Sequence, residues 1–111
     1  MDIFKVGIMF HIGIAVYDAE KTARLYVDTL GLKIEHDETS ADQGVRAIML
    51  VPENDSSSTA IELLEPVVED SSISKFLEKR GEGMHHICYL VEDISKGIEH
   101  LKSQGIEMID H

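Results

Sequence analysis

Basic residues are scarce in this chain: ten Lys and Arg stand against 21 Asp and Glu in 111 residues, a net charge of -11. Phosphate backbones and anionic membranes both call for basic patches, so neither nucleic acid nor a membrane surface is expected as a partner. Cysteine is scarcer still. Cys88 stands alone, so no intrachain disulfide can form, and the composition suits a reducing cytoplasm. No run approaches the roughly 20 apolar residues of a membrane span. The opening MDIFKVGIMF carries too short an apolar stretch for a signal peptide. There is no Gly-rich phosphate loop and no Ser or Cys set in a nucleophile motif. The length allows one small domain, and 43% hydrophobic residues allow it a core.

What is present is a repeat. HIGIAVYDAEK (11–21) lies over HICYLVEDISK (86–96) at an offset of 75 residues. Five of eleven positions are identical: His11/His86, Ile12/Ile87, Val16/Val91, Asp18/Asp93 and Lys21/Lys96. Each copy opens on a strand, in which successive side chains alternate between faces. In the first, Ile12, Ile14 and Val16 share one face and His11, Gly13 and Ala15 the other. In the second, Ile87, Tyr89 and Val91 oppose His86, Cys88 and Leu90. An Asp follows each strand as a helix N-cap, since its carboxylate can accept from free amides of the first turn. Ala19, Ala23, Tyr26 and Leu30 then recur at helical spacing, as do Ile94, Ile98 and Leu101. Gly31 and Gly105 stand where helices end, each before a short strand, LKIEHDE (32–38) and IEMID (106–110).

The first copy continues. GVRAIMLV (44–51) and TAIELLE (59–65) read as two strands around the polar turn PENDSSS (52–58). Ile73, Phe76 and Leu77 predict a connector helix, capped by Ser71 or Ser72 and ended by Gly81. The expected fold class is α+β in a single domain. A first βαβββ module covers 1–65, a connector 66–83, and a second module 84–111 that lacks its last two strands. Open sheet edges and poorly covered apolar faces such as Ile12, Ile14 and Val16 then favour a homodimer.

The doublet in GMHHICYL (83–90) asks which histidine does chemistry. Alternation puts His85 and His86 on opposite faces, and the repeat pairs His86 with His11. Both lie away from the large aliphatics, and Gly13 and Ala15 leave room beside His11. Glu62 lies within AIELL, where a carboxylate is costly unless paired or bound to a cation. Two imidazoles and a carboxylate suit a divalent transition metal with positions left for water or substrate. Taken one at a time, each also has a plainer reading: a hydrogen-bonded structural histidine, or a Glu facing solvent on an edge. His85 reads as packed or hydrogen-bonded, and His36, His100 and His111 as surface residues. Cys88 reads as a small core residue, and EPVVED (65–70) as a solvated loop.

These residues resemble the vicinal oxygen chelate superfamily, which includes glyoxalase I, the extradiol dioxygenases and the bleomycin-resistance proteins. Within it they look like the methylmalonyl-CoA epimerase family. HIGIAVYDAEKTARLYVDTLGLKI, AIELLEP and ISKFLEKRGEGMHHICYLVEDI carry the likeness over nearly the whole chain. The resemblance implies paired βαβββ modules forming a cup-shaped mixed sheet around a divalent metal ion, Co, Ni, Mn or Zn. It implies His11, Glu62 and His86 as the ligands. It also implies an isomerase that moves the α-proton of an acyl-CoA, methylmalonyl-CoA, through a metal-stabilised enolate. Alternatives are a glyoxalase I-like lactoylglutathione lyase, or an inactive metal-binding module of the same superfamily.

The family's fourth ligand, a glutamate of the last strand, would fall beyond His111, and Ala47 occupies the position where some members carry a second acid/base glutamate. The expectation is a metal triad with no assigned catalytic base and, if the chain stops at His111, weaker metal binding and little turnover. Asp110 and His111 are the acid/base side chains nearest the end. Lys75, Lys79 and Arg80 are the cations available to a CoA, or simply the wet side of the connector helix.

Overall fold

The computed structural model describes residues 5–105. Its elements are β1 (Met9–Ala15), α1 (Ala19–Leu30), β2 (Leu32–Ser40), β3 (Val45–Pro52), β4 (Ala60–Pro66), α2 (Ser72–Arg80), β5 (Gly83–Tyr89) and α3 (Ile94–Ser103). The first five follow the expected βαβββ order, and β5–α3 begins a second pass. The strand expected over 106–110 lies outside the described residues, as do Asp110 and His111. Among the described residues no helix is long and apolar enough to cross a membrane.

The repeat holds down to the backbone. Asp18 accepts from the amide of Lys21 at 3.0 Å, and Asp93 from that of Lys96 at 3.1 Å. The two caps share one conformation, φ/ψ -138/96 and -137/105. Ser71 caps α2 by accepting from the Ser74 amide, and Gly31, Gly81 and Gly105 all take positive φ at or just past helix ends.

The strands form one mixed sheet in the order β2-β3-β4-β1-β5, with β1 parallel to β4 and antiparallel to β5. Alternation sorts its two faces. On one, Val16, Ile48, Leu50 and Leu63 pack against Ala19 and Ala23 of α1, with Ile14, Tyr26 and Val27 alongside. On the other, Ala15, Val45 and Leu64 pack against Ile73 and Leu77 of α2, with Ala47 and Phe76 alongside. Two expectations need correction here. Ile14 and Val16 do not lack cover, because α1 lies over them. Leu30 and Ile94, the last residue of α1 and the first of α3, are about two-thirds exposed instead of packed.

The β1–β5 pairing is itself symmetric under the 75-residue offset. Ile12 pairs with Ile87, flanked by His11↔Cys88 and Gly13↔His86. A local twofold through the Ile12–Ile87 pair therefore exchanges the two histidines. The register slips once on either side, between Met9 and His11 and between Gly13 and Ile14. The first slip leaves Phe10 as an extra residue on β1. The second, with Ile14 opposite Met84, leaves His85 as an extra residue on β5. Phe10 and His85 are equivalent positions of the repeat, so the sheet carries a pair of bulges related by the same twofold.

Candidate metal centre

Gly13 organises the site. It lies on β1 between Glu62 of β4 and His86 of β5, its register partners on either side. A Cβ at Gly13 would come within 3.0 Å of three ring atoms of His86. With only hydrogen there, the His86 imidazole leans across β1. Its Nε2 reaches 3.1 Å from His11 Nε2 and 3.4 Å from Glu62 Oε1. His11 Nε2 stands 3.3 Å from Glu62 Oε1 and closes the triangle.

That triangle fits a divalent cation. Ligand atoms about 2.0–2.2 Å from a common ion lie about 3.0 Å apart at right angles and about 3.4 Å apart at the tetrahedral angle. The three observed separations fall in this interval. A neutral imidazole offers one bare nitrogen, and a carboxylate offers only acceptors, so such atoms converge only around a shared proton or cation. These three residues could hold a metal ion. His11 and Glu62 are mostly buried, with 12% and 18% of their side chains exposed, whereas His86 is 37% exposed. The open side faces a groove of about 1260 Å³ whose wall includes Glu38, Ala47 and Cys88. His11 Nδ1 is buried with no hydrogen-bond partner among the described residues.

His85 is not where alternation puts it. The bulge gives β5 two residues against one on β1, which breaks the alternation locally. His85 lies on the same face as His86, its Nδ1 2.9 Å from His86 Nδ1, and both line the groove. It is packed and hydrogen-bonded as expected, but beside the site. The signal available in the sequence is the repeat carried two residues further back. MFH (9–11) lies over MHH (84–86), with an aromatic ring ahead of each candidate ligand.

Cys88 is half-buried in the groove wall opposite His11 and is no core residue. Glu65, expected in a solvated loop, is the penultimate residue of β4 and accepts from the Ala19 amide at 2.7 Å, at the start of α1. His36 is exposed, 3.5 Å from Glu38, and His100 is half-buried in α3. Lys75, Lys79 and Arg80 are exposed on α2.

The sequence pattern of the Glyoxalase/Bleomycin resistance protein/Dioxygenase superfamily matches residues 10–111. An ethylmalonyl-CoA/methylmalonyl-CoA epimerase of Cereibacter sphaeroides is 41% identical over 105 residues, 94% of this chain and 75% of that one. The crystal structure of methylmalonyl-CoA epimerase from Mycobacterium tuberculosis superposes with a TM-score of 0.88 at 34% identity, over 100% of this chain and 73% of that one. A variant of the Streptomyces coelicolor methylmalonyl-CoA epimerase, in complex with 2-nitronate-propionyl-CoA, superposes with a TM-score of 0.87 at 34% identity. That match covers 96% of this chain and 77% of the other.

Proposed function

The chain belongs to the Glyoxalase/Bleomycin resistance protein/Dioxygenase superfamily, and on that premise we propose that it is a metal-dependent epimerase acting on methylmalonyl-CoA. The observation that carries the reading is the donor triangle of His11, Glu62 and His86 on the groove face of three adjacent strands. The nitronate ligand of the Streptomyces relative supports it, because a nitronate has a planar carbon and negatively charged oxygens, as an enolate does.

His11, Glu62 and His86 would hold the cation, offering Nε2, a carboxylate oxygen and Nε2. When bound, a divalent cation supplies a Lewis acid that stabilises negative charge developing on carbonyl oxygens. The three ligands are committed to that task, so none of them carries the proton. Ala47, on the groove face, has no acceptor to offer. Its cross-strand partner Glu38 is a carboxylate lining the groove outside the triad.

Deuterium wash-in at the α-carbon of methylmalonyl-CoA tests the proposal. Cobalt-loaded protein in D2O is expected to exchange that hydrogen, and Glu62→Ala is expected to lose the exchange. Absence of exchange in protein that has taken up cobalt would refute the epimerase reading. Turnover of the hemithioacetal of methylglyoxal by the same sample would then point to glyoxalase I-like chemistry.

A further inference from the structure

We infer that His85 is a positioning residue for His86, placed beside it by the β5 bulge. The inference rests on the reading of His86 as a ligand. A histidine bound to a cation through Nε2 carries its proton on Nδ1, and what that proton meets fixes the ring's orientation. Here His86 Nδ1 meets His85 Nδ1 at 2.9 Å. When His86 Nε2 is a ligand, His86 Nδ1–H donates and His85 Nδ1 accepts. The two ends of the His86 ring are then tied, one to the triad and one to His85.

His85 is held in turn. Its ring stands edge-on to Phe76 of α2, with centroids 5.0 Å apart and planes at 75°. Phe76 packs on the cluster of Ala15, Val45, Leu64, Ile73 and Leu77. The chain of contact thus runs from the core under α2, through Phe76 and His85, to the ligand. Strict alternation would turn His85 to the other face, so the bulge is what makes the contact.

The repeat supplies an internal control. Phe10 bulges ahead of His11 as His85 does ahead of His86, and both ring pairs have centroids 5.2 Å apart. Phe10 has no acceptor, and His11 Nδ1 is the buried atom without a hydrogen-bond partner among the described residues. One ligand of the pair therefore has an orienting acceptor at this position and the other does not.

The test is cobalt(II) titration of wild type, His85→Phe and His85→Asn, followed by the visible d–d spectrum. His85→Phe keeps a ring against Phe76 and makes the second copy resemble the first. It is expected to weaken cobalt binding about 10–100-fold and to alter the spectrum, as loss of a ligand's orienting partner does. His85→Asn can place an amide oxygen near the lost Nδ1 and is expected to recover most of the affinity. Melting of the metal-free variants reports any general damage. Independently of any variant, zinc-loaded wild type is expected to show a nitrogen–nitrogen coupling across the His86–His85 hydrogen bond by NMR. Equal cobalt affinity and spectrum in wild type and His85→Phe would overturn the inference alone, as would absence of that coupling. Failure of wild type to take up cobalt would overturn the ligand assignment as well.

Discussion

Replacing Gly13 with Ala should separate metal binding from folding. The added Cβ would sit within 3.0 Å of Cε1, Nδ1 and Nε2 of His86, so the ring has to leave its position over β1. It can push β5 away, or it can swing out toward the groove, where 37% of the side chain is already exposed. Swinging out is cheaper. Overpacking a closed core costs about 1–3 kcal/mol, and relief into an open groove keeps the cost at the lower end. Replacing a strand glycine by alanine returns about 0.5–1 kcal/mol of backbone entropy, which nearly cancels that cost. Melting of the metal-free protein should therefore shift by less than about 5 °C. The metal site has no such relief. Once the ring swings, the 3.1 and 3.4 Å separations from His11 Nε2 and Glu62 Oε1 are both lost. Loss of a residue that only orients a ligand costs about 10–100-fold in metal affinity, so displacing the ligand itself should cost at least about 100-fold. Equilibrium dialysis against cobalt(II), alongside thermal melts, reads both quantities. A Gly13→Ala protein that binds cobalt within about threefold of wild type would show that the approach of His86 across Gly13 does not build the site.

Gly44 turns between β2 and β3 at φ +65, where a side chain is strained, and a Cβ there would also run into Val68. Gly44→Ala should cost about 1–2 kcal/mol in urea unfolding, and an unchanged midpoint would contradict the strained turn. Arg46 donates to both carboxylate oxygens of Asp37 across the β2–β3 pair, at 3.0 and 2.8 Å, and holds that carboxyl below the usual range. A depressed folded-state value stabilises the fold above the unfolded value of about 4 and is lost as pH falls through the folded value. For a pair this exposed, Arg46→Met should cost about 0.5 kcal/mol at pH 7 and less at pH 2. An equal loss at both pH values would assign the effect to packing. Phe10, Ile87, Tyr89 and Leu90 are exposed near β5, one of the two edge strands among the described residues, so a homodimer is expected. A monomer in sedimentation velocity at micromolar concentration would refute it.

Much of the site is legible because alternation is strict over most of β1 and β4. His11, Gly13 and Glu62 need only period two and a parallel register to meet on one face. Asp18 and Asp93 are legible as caps because capping is local chemistry. His85 is not legible by the same rule, because a bulge shifts side chains from one face to the other without requiring a special residue type. Glu65 is hidden for a different reason. Its partner is an amide 46 residues away in α1, so its role depends on how the helix meets the sheet. The exposure of Leu30 likewise depends on where α1 runs out relative to the sheet, which helical spacing does not encode.

The two faces of the sheet have separate duties. The α1 side, with Val16, Ile48, Leu50 and Leu63, contains no donor atom of the triad, while the groove side carries all three. Inheritance can therefore rewrite one side while leaving the other intact. Substitutions at Glu38, Thr39, Gln43 or Cys88 change what the groove admits, and none of these residues belongs to the α1-side cluster. Lineages sharing this scaffold can diverge in chemistry without first acquiring compensating mutations in the core, and a directed-evolution library confined to those four positions would start with the same freedom.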